Sequence, residues 1–217
     1  DKAEDGVKFL RQRGQRVLVM ERGYVGNRMI WTSMGWDGLN GRAAFPVVDD
    51  GGERWNRCFD GLMQPRGVRS SGPIIVFGQV PGDASVEGVD LAAYYRRFTD
   101  SNLLFRPHPN ADQSQTYGLR RAFVTLAEVL SRASMAYAFN SNALTDAVLA
   151  GVHVDPADPG AMAWPVSLMR ERSMSREAWA HRLAWCQWLP EEIANGDAWA
   201  ALQGDCHVWS EPERVAA

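Results

Sequence analysis

The fold is decided by residues 74–85, which read IIVFGQVPGDAS. Four apolar residues are followed at once by glycine, proline and small polar side chains, a pattern typical of a buried strand that ends in a turn. Two later stretches have the same form, LLFRPHP at 103–109 and AFNSNAL at 138–144. Ligands of open α/β sheets bind at the ends of such strands. The three stretches therefore predict one binding site, and the Arg-Pro-His-Pro and Asn-Ser endings favour an anionic, nucleotide-linked ligand.

Strands and helices are predicted to alternate around this opening stretch. Strands are expected at 73–79, 102–106, 135–139 and 152–154, and helices at 89–99, 117–133 and 142–150. The apolar stripe of the longest helix consists of Leu119, Phe123, Leu126 and Leu130. Such alternation predicts the α/β class, with a Rossmann-like parallel sheet flanked by helices.

The two ends of the chain are less regular. A helix is expected at 3–13, a buried strand at 16–20, a long irregular region at 23–72, two Trp-rich helices at 175–188 and 190–202, and a loose tail at 204–217. Long irregular regions in compact domains are usually functional or mobile. We therefore predict three regions, which are an N-terminal region at 1–70, the Rossmann-like domain at 71–174 and C-terminal helices with a tail at 175–217.

Composition excludes several classes of function. The net charge of −3 gives no global basic field of the kind that attracts nucleic acid. The cysteines, Cys58, Cys186 and Cys206, form no CxxC pair, which argues against a disulfide framework or a zinc site and favours the cytoplasm. Neither a run of about 18 apolar residues nor a His/Cys ligand pattern is present. We expect no membrane span, no metal and no obligatory cofactor.

The motifs carry residues suited to binding an anion. Ser141 precedes a predicted helix, where it caps the helix or helps to bind phosphate at the free N–H groups. His108 is held between two prolines at a strand end, where it is a phosphate contact or a plain loop residue. Gln79 and Ser85 offer neutral donors, although an ordinary strand-to-helix turn also explains them. Glu21 follows a strand and is a general base or the partner of a salt bridge.

Taken together, the three motifs resemble those of a known enzyme family. Residues 78–85, 106–109 and 140–151 are similar, in this order, to the nucleotide-sugar half of capsule polysaccharide biosynthesis glycosyltransferases. Those are GT-B enzymes related in style to bacterial sialyl- and Kdo-transferases. The resemblance implies that His108 contacts the nucleotide or phosphate of a nucleotide-sugar donor, and that Ser141 and the following helix start bind phosphate.

The N-terminal part resembles the family less completely. Residues 21–25 are similar to an acidic-acidic-glycine-aromatic segment, but Arg22 stands where a second acid is expected, so either Glu21 serves as the base or the activity differs. Residues 31–42 look like phage-encoded relatives of the group. The resemblance thus implies the donor half of a GT-B fold with a partial or reduced N-terminal domain on the acceptor side.

The activity implied is a metal-independent transfer of sugar from a nucleotide-sugar donor to a hydroxyl group of a glycan or a modified base. The residues expected to act are catalytic Glu21 and His108, with Gln79, Ser85, Arg106, His108, Asn140, Ser141 and Asn142 binding the donor. One alternative is a phage-type DNA-base glycosyltransferase, favoured by a local arginine face at Arg54, Arg57, Arg66 and Arg69. The other is a non-catalytic nucleotide- or sugar-binding module, favoured by Arg22 and the short N-terminal region.

Overall fold

The computed structural model describes residues 7, 9–10, 12–66, 71–100, 102–168 and 174–211. The chain forms two compact units. The antiparallel unit, named after its sheet, contains the described residues up to Phe59 and those from Glu177 onward. The parallel unit is Asp60–Arg176. The helix expected at 3–13 lies partly outside the described residues.

The strands are β1 (Leu18–Arg22), β2 (Thr32–Trp36), β3 (Ala44–Pro46), β4 (Ile74–Phe77), β5 (Leu103–Arg106), β6 (Arg120–Arg121), β7 (Met135–Ala138), β8 (His153–Pro156), β9 (Gln187–Trp188) and β10 (Cys206–Val208). Beyond residue 13, the α-helices are α1 (Glu53–Phe59), α2 (Leu91–Arg96), α3 (Leu126–Arg132), α4 (Ala143–Leu149), α5 (Arg176–Ala184), α6 (Pro190–Ala194) and α7 (Asp197–Leu202). Short 3-10 turns cover Asn40–Arg42, Ala84–Val86 and Trp164–Val166.

The parallel unit has the doubly wound order of a Rossmann-like sheet. Its strands lie in the order β6-β5-β4-β7-β8, and every neighbouring pair is parallel. The first strand of the unit, β4, is therefore central, with Ile74 opposite both Leu103 and Met135. The chain first moves to one side of β4 and later returns to the other side. The predicted α/β class with a parallel sheet flanked by helices is confirmed.

One face of this sheet packs against α2. Val76, Phe105 and Tyr95 are buried there in a cluster that also includes Leu91 and Tyr94. On α2, Leu91, Tyr94 and Tyr95 are buried because they recur at helical spacing, as the sequence predicts. Asp90 begins the helix by accepting a hydrogen bond from the N–H of Ala93.

The helix predicted at 117–133 is wrong over its first half. Only Leu126–Arg132 is helical, and Arg120 and Arg121 form β6 beside β5. Thr125 and Glu128 form a capping box that begins the helix at this point. Phe123 was placed in the core stripe by its spacing, yet its side chain is 85% exposed. Residues 120–121 pair with β5, and this pairing prevails over the helical spacing of the apolar residues at 119–126.

The antiparallel unit corrects the prediction of an irregular region at 23–72. That region contains β2, β3 and α1, and the sheet runs in the order β1-β2-β3-β10 with β9 paired to β2. Four consecutive residues of β2, Ser33 to Trp36, are buried. A strand buried on both faces lacks the alternation that reveals a strand in a sequence. The strand predicted as buried at 16–20 is instead β1, whose last three residues are exposed.

The C-terminal part of the chain folds with the N-terminal strands. The helix predicted at 175–188 ends at Ala184, and Gln187 and Trp188 form β9 beside β2. The tail predicted to be loose at 204–217 contains β10, which pairs with β3, while residues 212–217 lie outside the described part. The region predicted as separate at 175–217 is thus joined to the N-terminal strands through backbone pairing.

A buried arginine organises the centre of the antiparallel unit. Arg54 is 2% exposed, and its guanidinium donates to both carboxylate oxygens of Glu192. It also donates to the carbonyls of Ala184 (2.8 Å) and Gln187 (2.9 Å), and lies 4.4 Å from the ring centre of Trp188. Arg54 therefore cannot belong to the surface arginine face suggested by the sequence, whereas Arg57 and Arg66 are exposed and Arg69 lies outside the described residues.

Candidate functional site

The three sequence motifs follow three adjacent strands, so they lie at the carboxyl ends of the strands of the parallel sheet. Strand β4 lies between β5 and β7, and all three run in the same direction. Their carboxyl ends therefore meet at the same edge. This edge includes the point where the strand order reverses between β4 and β7, which is where open α/β sheets bind ligands. The candidate site is built here.

A pair of buried amides bridges the reversal point. The Gln79 side chain donates through Nε2 to Asn140 Oδ1 at 2.7 Å and accepts from the Asn140 backbone N–H at 3.0 Å. Both residues are buried. The backbone N–H of Gln79 donates to the Tyr95 hydroxyl at 2.9 Å, which ties this strand end to α2. Gln79 and Asn140, predicted to bind the donor, thus use several of their polar groups to hold two strand ends together.

Asn140 also connects two further loops. Its Nδ2 donates to the carbonyl of Ser85 at 2.7 Å and to Asp158 Oδ1 at 3.4 Å. The same Asp158 oxygen accepts from the N–H of Gly160 at 2.7 Å. Asp158 follows β8 and is buried. The sequence showed only a carboxylate near Pro156 without metal spacing, so its role as a partner of Asn140 was missed.

His108 lies beside a small cavity after β5. The cavity has a volume of about 110 Å³ and is lined by Gly78, Gln79, Pro81, Phe105, Pro107, His108, Ala111, Asp112, Gln115 and Tyr117. Residues of the first and second motifs therefore share one wall, and the hydrogen bond between Gln79 and Asn140 connects this wall to the third motif. Of the residues predicted to bind the donor, Gln79 and His108 line this cavity.

The surroundings of His108 favour the neutral form of its ring. Burial lowers its pKa, the positive charge of Arg106 lowers it further, and the negative charge of Asp83 opposes them. Nδ1 accepts a hydrogen bond from the backbone N–H of Asn110 at 3.2 Å. In the neutral ring this bond assigns the proton to Nε2, which becomes a donor.

Two residues that the sequence did not single out support the histidine loop. Gln113 donates to the carbonyls of His108 (2.7 Å) and Ala111 (2.8 Å). Arg121 of β6 donates in turn to Gln113 Oε1 at 2.9 Å. This chain of contacts ties the loop to the sheet edge, and only the amide and guanidinium side chains could have suggested it from the sequence.

Arg106 and Ser85 differ in how far their donors are used. Arg106 is half-buried, and its Nε is buried without a hydrogen-bond partner among the described residues. The Ser85 hydroxyl donates to Asp83 Oδ1 at 2.7 Å. Arg106 thus has an unused donor at the strand end, whereas Ser85 would have to leave Asp83 before its hydroxyl could donate to a ligand.

Ser141 and Asn142 precede α4, which is a seven-residue helix. Asn142 occupies the N-cap position, but its side chain makes no capping hydrogen bond. The Ser141 hydroxyl instead accepts a hydrogen bond from the backbone N–H of Ala143 at 3.3 Å. The capping role that the sequence left open therefore falls to Ser141, whose hydroxyl hydrogen remains a donor.

Glu21 belongs to the antiparallel unit. It is exposed on β1, the edge strand of the sheet, opposite Ser33. The loop after it is rigidly held, because Gln187 Oε1 accepts from the N–H groups of Tyr24 (2.6 Å) and Val25 (3.0 Å). A Cβ atom at Gly23 would lie 2.5 Å from that of Trp31, so this position of the segment requires glycine. Buried Gln187 is a further supporting residue that the sequence did not single out.

Metal-binding and membrane-spanning features were sought in the same residues. Within the described ranges, no cluster of three or more His, Cys, Asp or Glu side chains is arranged to hold a metal ion. None of the helices in the described part of the chain has the length and apolar character needed to cross a bilayer.

The fold is similar to those of solved structures. No family model and no curated protein matches the sequence. Among solved structures, the chain is similar to KpsC of Thermosulfurimonas dismutans, a beta Kdo 2,7 transferase, with a TM-score of 0.57 and 18% identity over 86% of this chain and 77% of that one. It is also similar to the beta Kdo 2,4 transferase of the same KpsC, with a TM-score of 0.54 and 15% identity over 89% and 83% of the two chains. At these identities the likeness establishes the fold alone, which is an α/β fold with a Rossmann-like parallel sheet.

Proposed function

We propose that this protein is a glycosyltransferase that uses a nucleotide-sugar donor. The nucleotide and phosphate of the donor bind at the carboxyl edge of the parallel sheet, and the sugar is transferred to a hydroxyl group of a glycan or a modified base. The likeness of the fold to two Kdo transferases supports the reaction class. The motif order supports a place in capsule polysaccharide biosynthesis, and the segment at 31–42 supports a phage-encoded origin.

The observation that carries the proposal is the shared wall formed by His108 and Gln79. These residues come from two different strand ends, and Gln79 is hydrogen bonded to Asn140 of a third. An arrangement that joins three loops at the reversal point of a doubly wound sheet suits a ligand that contacts all three.

In this proposal, some residues stabilise the phosphate charge by hydrogen bonding, and another removes the proton of the acceptor hydroxyl. His108 Nε2 and the Arg106 guanidinium would donate to the phosphate oxygens, stabilising the negative charge that develops as the bond between sugar and phosphate breaks. Ser141 would donate its hydroxyl hydrogen to the same group. Glu21 would take the proton from the acceptor hydroxyl as the new bond to the sugar carbon forms. No metal or cofactor is needed in this scheme, since the phosphate charge is met by side chains.

The test is a thermal-shift screen with CMP, UDP, GDP and ADP. Binding to the native state raises Tm in proportion to the logarithm of ligand concentration over Kd, so one nucleotide should give a clear shift. His108→Ala should abolish this shift while leaving the Tm of the free protein within a few degrees. The matched control is His207→Ala, since His207 is an exposed histidine of the other unit. A shift retained in His108→Ala would remove His108 from the site and contradict the proposal.

Turnover separates the transferase from a binding module. The module is favoured by the exposed Arg22 beside Glu21 on β1, where the family has an acid. A transferase should slowly hydrolyse the sugar of its donor without acceptor, and Glu21→Gln should reduce transfer to an acceptor more than nucleotide binding. Binding without hydrolysis that is unchanged by Glu21→Gln would select the module. Transfer to hydroxymethylated DNA but not to glycans would select the DNA-base enzyme.

A further inference from the structure

We propose that the parallel unit has a second binding site, for a small organic anion such as a phosphate monoester, at the amino ends of β5 and β6. An open cavity of about 480 Å³ lies there. Its walls are formed by Arg96, Phe98, Thr99, Asp100, Tyr117, Gly118, Leu119 and Arg120. The volume is within the range of small-molecule sites. This cavity lies at the amino end of β5, whereas His108 follows its carboxyl end, and Tyr117 lines both this cavity and the one beside His108.

The charge of the ligand follows from the two arginines. Arg96 ends α2 and Arg120 begins β6, and both are exposed. Within the described residues, neither guanidinium takes part in an ion pair or hydrogen bond. The one carboxylate in the lining, Asp100, accepts a hydrogen bond from the N–H of Asn102 at 2.8 Å. Two unpaired guanidinium groups at one cavity favour phosphate or carboxylate, which match their fork of donors.

The apolar part of the ligand follows from the aromatic walls. Phe98 and Tyr117 line the cavity together with Leu119, which is buried. Tyr117 has a φ of 54°, a left-handed conformation that is unfavourable for an aromatic residue. Its ring is held by packing against Tyr95 (4.8 Å between centroids) and Phe105 (5.5 Å). A ring fixed in this way provides a rigid apolar surface for a ligand that also carries an anionic group.

The experiment uses phenyl phosphate as the probe, titrated into the full chain by calorimetry at low salt. Binding should weaken about tenfold or more in Arg96→Gln and in Arg120→Gln, because each removes a charge-assisted hydrogen bond. The matched control is Arg132→Gln, an exposed arginine of the same unit outside the cavity, which should bind as the wild type does. Urea unfolding of each variant verifies that the exposed substitutions leave the fold intact.

The position of binding is read from backbone amide NMR shifts. Addition of phenyl phosphate should shift the amides of Thr99 and Gly118, and these shifts should be lost in the double variant Arg96→Gln/Arg120→Gln. Three results would overturn the proposal: no binding at millimolar probe, equal loss of affinity in Arg132→Gln, or shifts confined to the amides of His108 and Asn110. The last result would assign the probe to the proposed donor site instead.

Discussion

Arg54 lies on α1 of the antiparallel unit, and Arg106 ends β5 of the parallel unit. Their guanidinium groups differ in how many of their hydrogen-bond donors have partners. Arg54 is buried, and its guanidinium donates to a carboxylate and two backbone carbonyls. Arg106 is half-buried, with its Nε unpartnered among the described residues. A buried donor without a partner costs free energy unless something else satisfies it. The comparison indicates that Arg54 serves the fold, whereas the Nε of Arg106 is left for the ligand contact that we propose.

The largest effect is expected when Arg54 is replaced. Arg54→Met keeps an apolar stem but leaves the Glu192 carboxylate and two carbonyls without their donor. Removing one partner of a buried ion pair costs about 3–5 kcal/mol in the free energy of unfolding. Urea denaturation measures this loss. The control is Arg57→Met on the same helix, where the side chain is exposed and the change should stay within about 0.5 kcal/mol. Equal losses in the free energy of unfolding of the two variants would mean that the buried contacts of Arg54 do not stabilise the fold.

The amide pair at the reversal point should give the next largest effect. Gln79→Ala and Asn140→Ala each leave buried polar groups unsatisfied, which costs about 1–3 kcal/mol. Because the two side chains share hydrogen bonds, the double variant should be destabilised by less than the sum, with a coupling of about 1 kcal/mol. Gln115→Ala is the control, since Gln115 is an exposed glutamine at the same cavity. A coupling near zero would show that the bridge does not hold the strand ends together.

The three central strands of the parallel unit could be predicted closely because they are short apolar runs that end in polar turns, whereas the Arg-Arg strand β6 could not. The runs at 74–77, 103–106 and 135–138 are strands in both the prediction and the structure. The antiparallel unit could not, since β2 is buried on both faces and β9 and β10 are two and three residues long. Their formation depends on partners distant in the chain, such as Thr32 for Trp188. Local periodicity carries no information about such pairings.

The side-chain contacts of the candidate site were likewise not predictable from local sequence patterns. The motifs indicated which loops would carry polar residues, because strand ends are visible in the sequence. They did not show that Gln79 and Asn140 would bind each other, that Asp158 would accept from Asn140, or that Gln113 would support the loop of His108. Those contacts depend on which strands are neighbours, and the strand order is a property of the folded sheet. Residue type therefore predicted a site, while the division of roles between ligand contact and support required the structure.

Replacing Arg106 should give a smaller effect on stability than the two preceding variants, and a different kind of effect. Arg106→Met removes a guanidinium that has no hydrogen bond to the described residues, so the free energy of unfolding should change by no more than about 0.5 kcal/mol. Affinity for the nucleotide selected by thermal shift should fall about tenfold or more. Calorimetric titration measures this loss. A destabilisation as large as that of Arg54→Met would place Arg106 among the structural residues and remove the contrast between the two units.

The smallest effect is expected from the titration of His108. Its pKa is lowered in the folded state, first by burial and then by the charge of Arg106. Between this lowered pKa and the usual value of about 6.5, the unfolded chain binds a proton that the folded protein does not. The free energy of unfolding should therefore fall as the pH drops below about 6.5, through this group alone.

The difference between the wild type and His108→Asn isolates this contribution, because the other titrating groups are common to both. Urea midpoints measured from pH 7.5 to 5.5 should converge toward acid pH, as the wild type loses stability that the variant does not. Parallel curves would mean that His108 is solvated like a free imidazole. A ring that is neutral in the free protein but binds phosphate should take up a proton when the nucleotide binds, because the added negative charge raises its pKa. The wild type, titrated with nucleotide in two buffers of different ionisation enthalpy, should therefore show proton uptake if His108 contacts the phosphate.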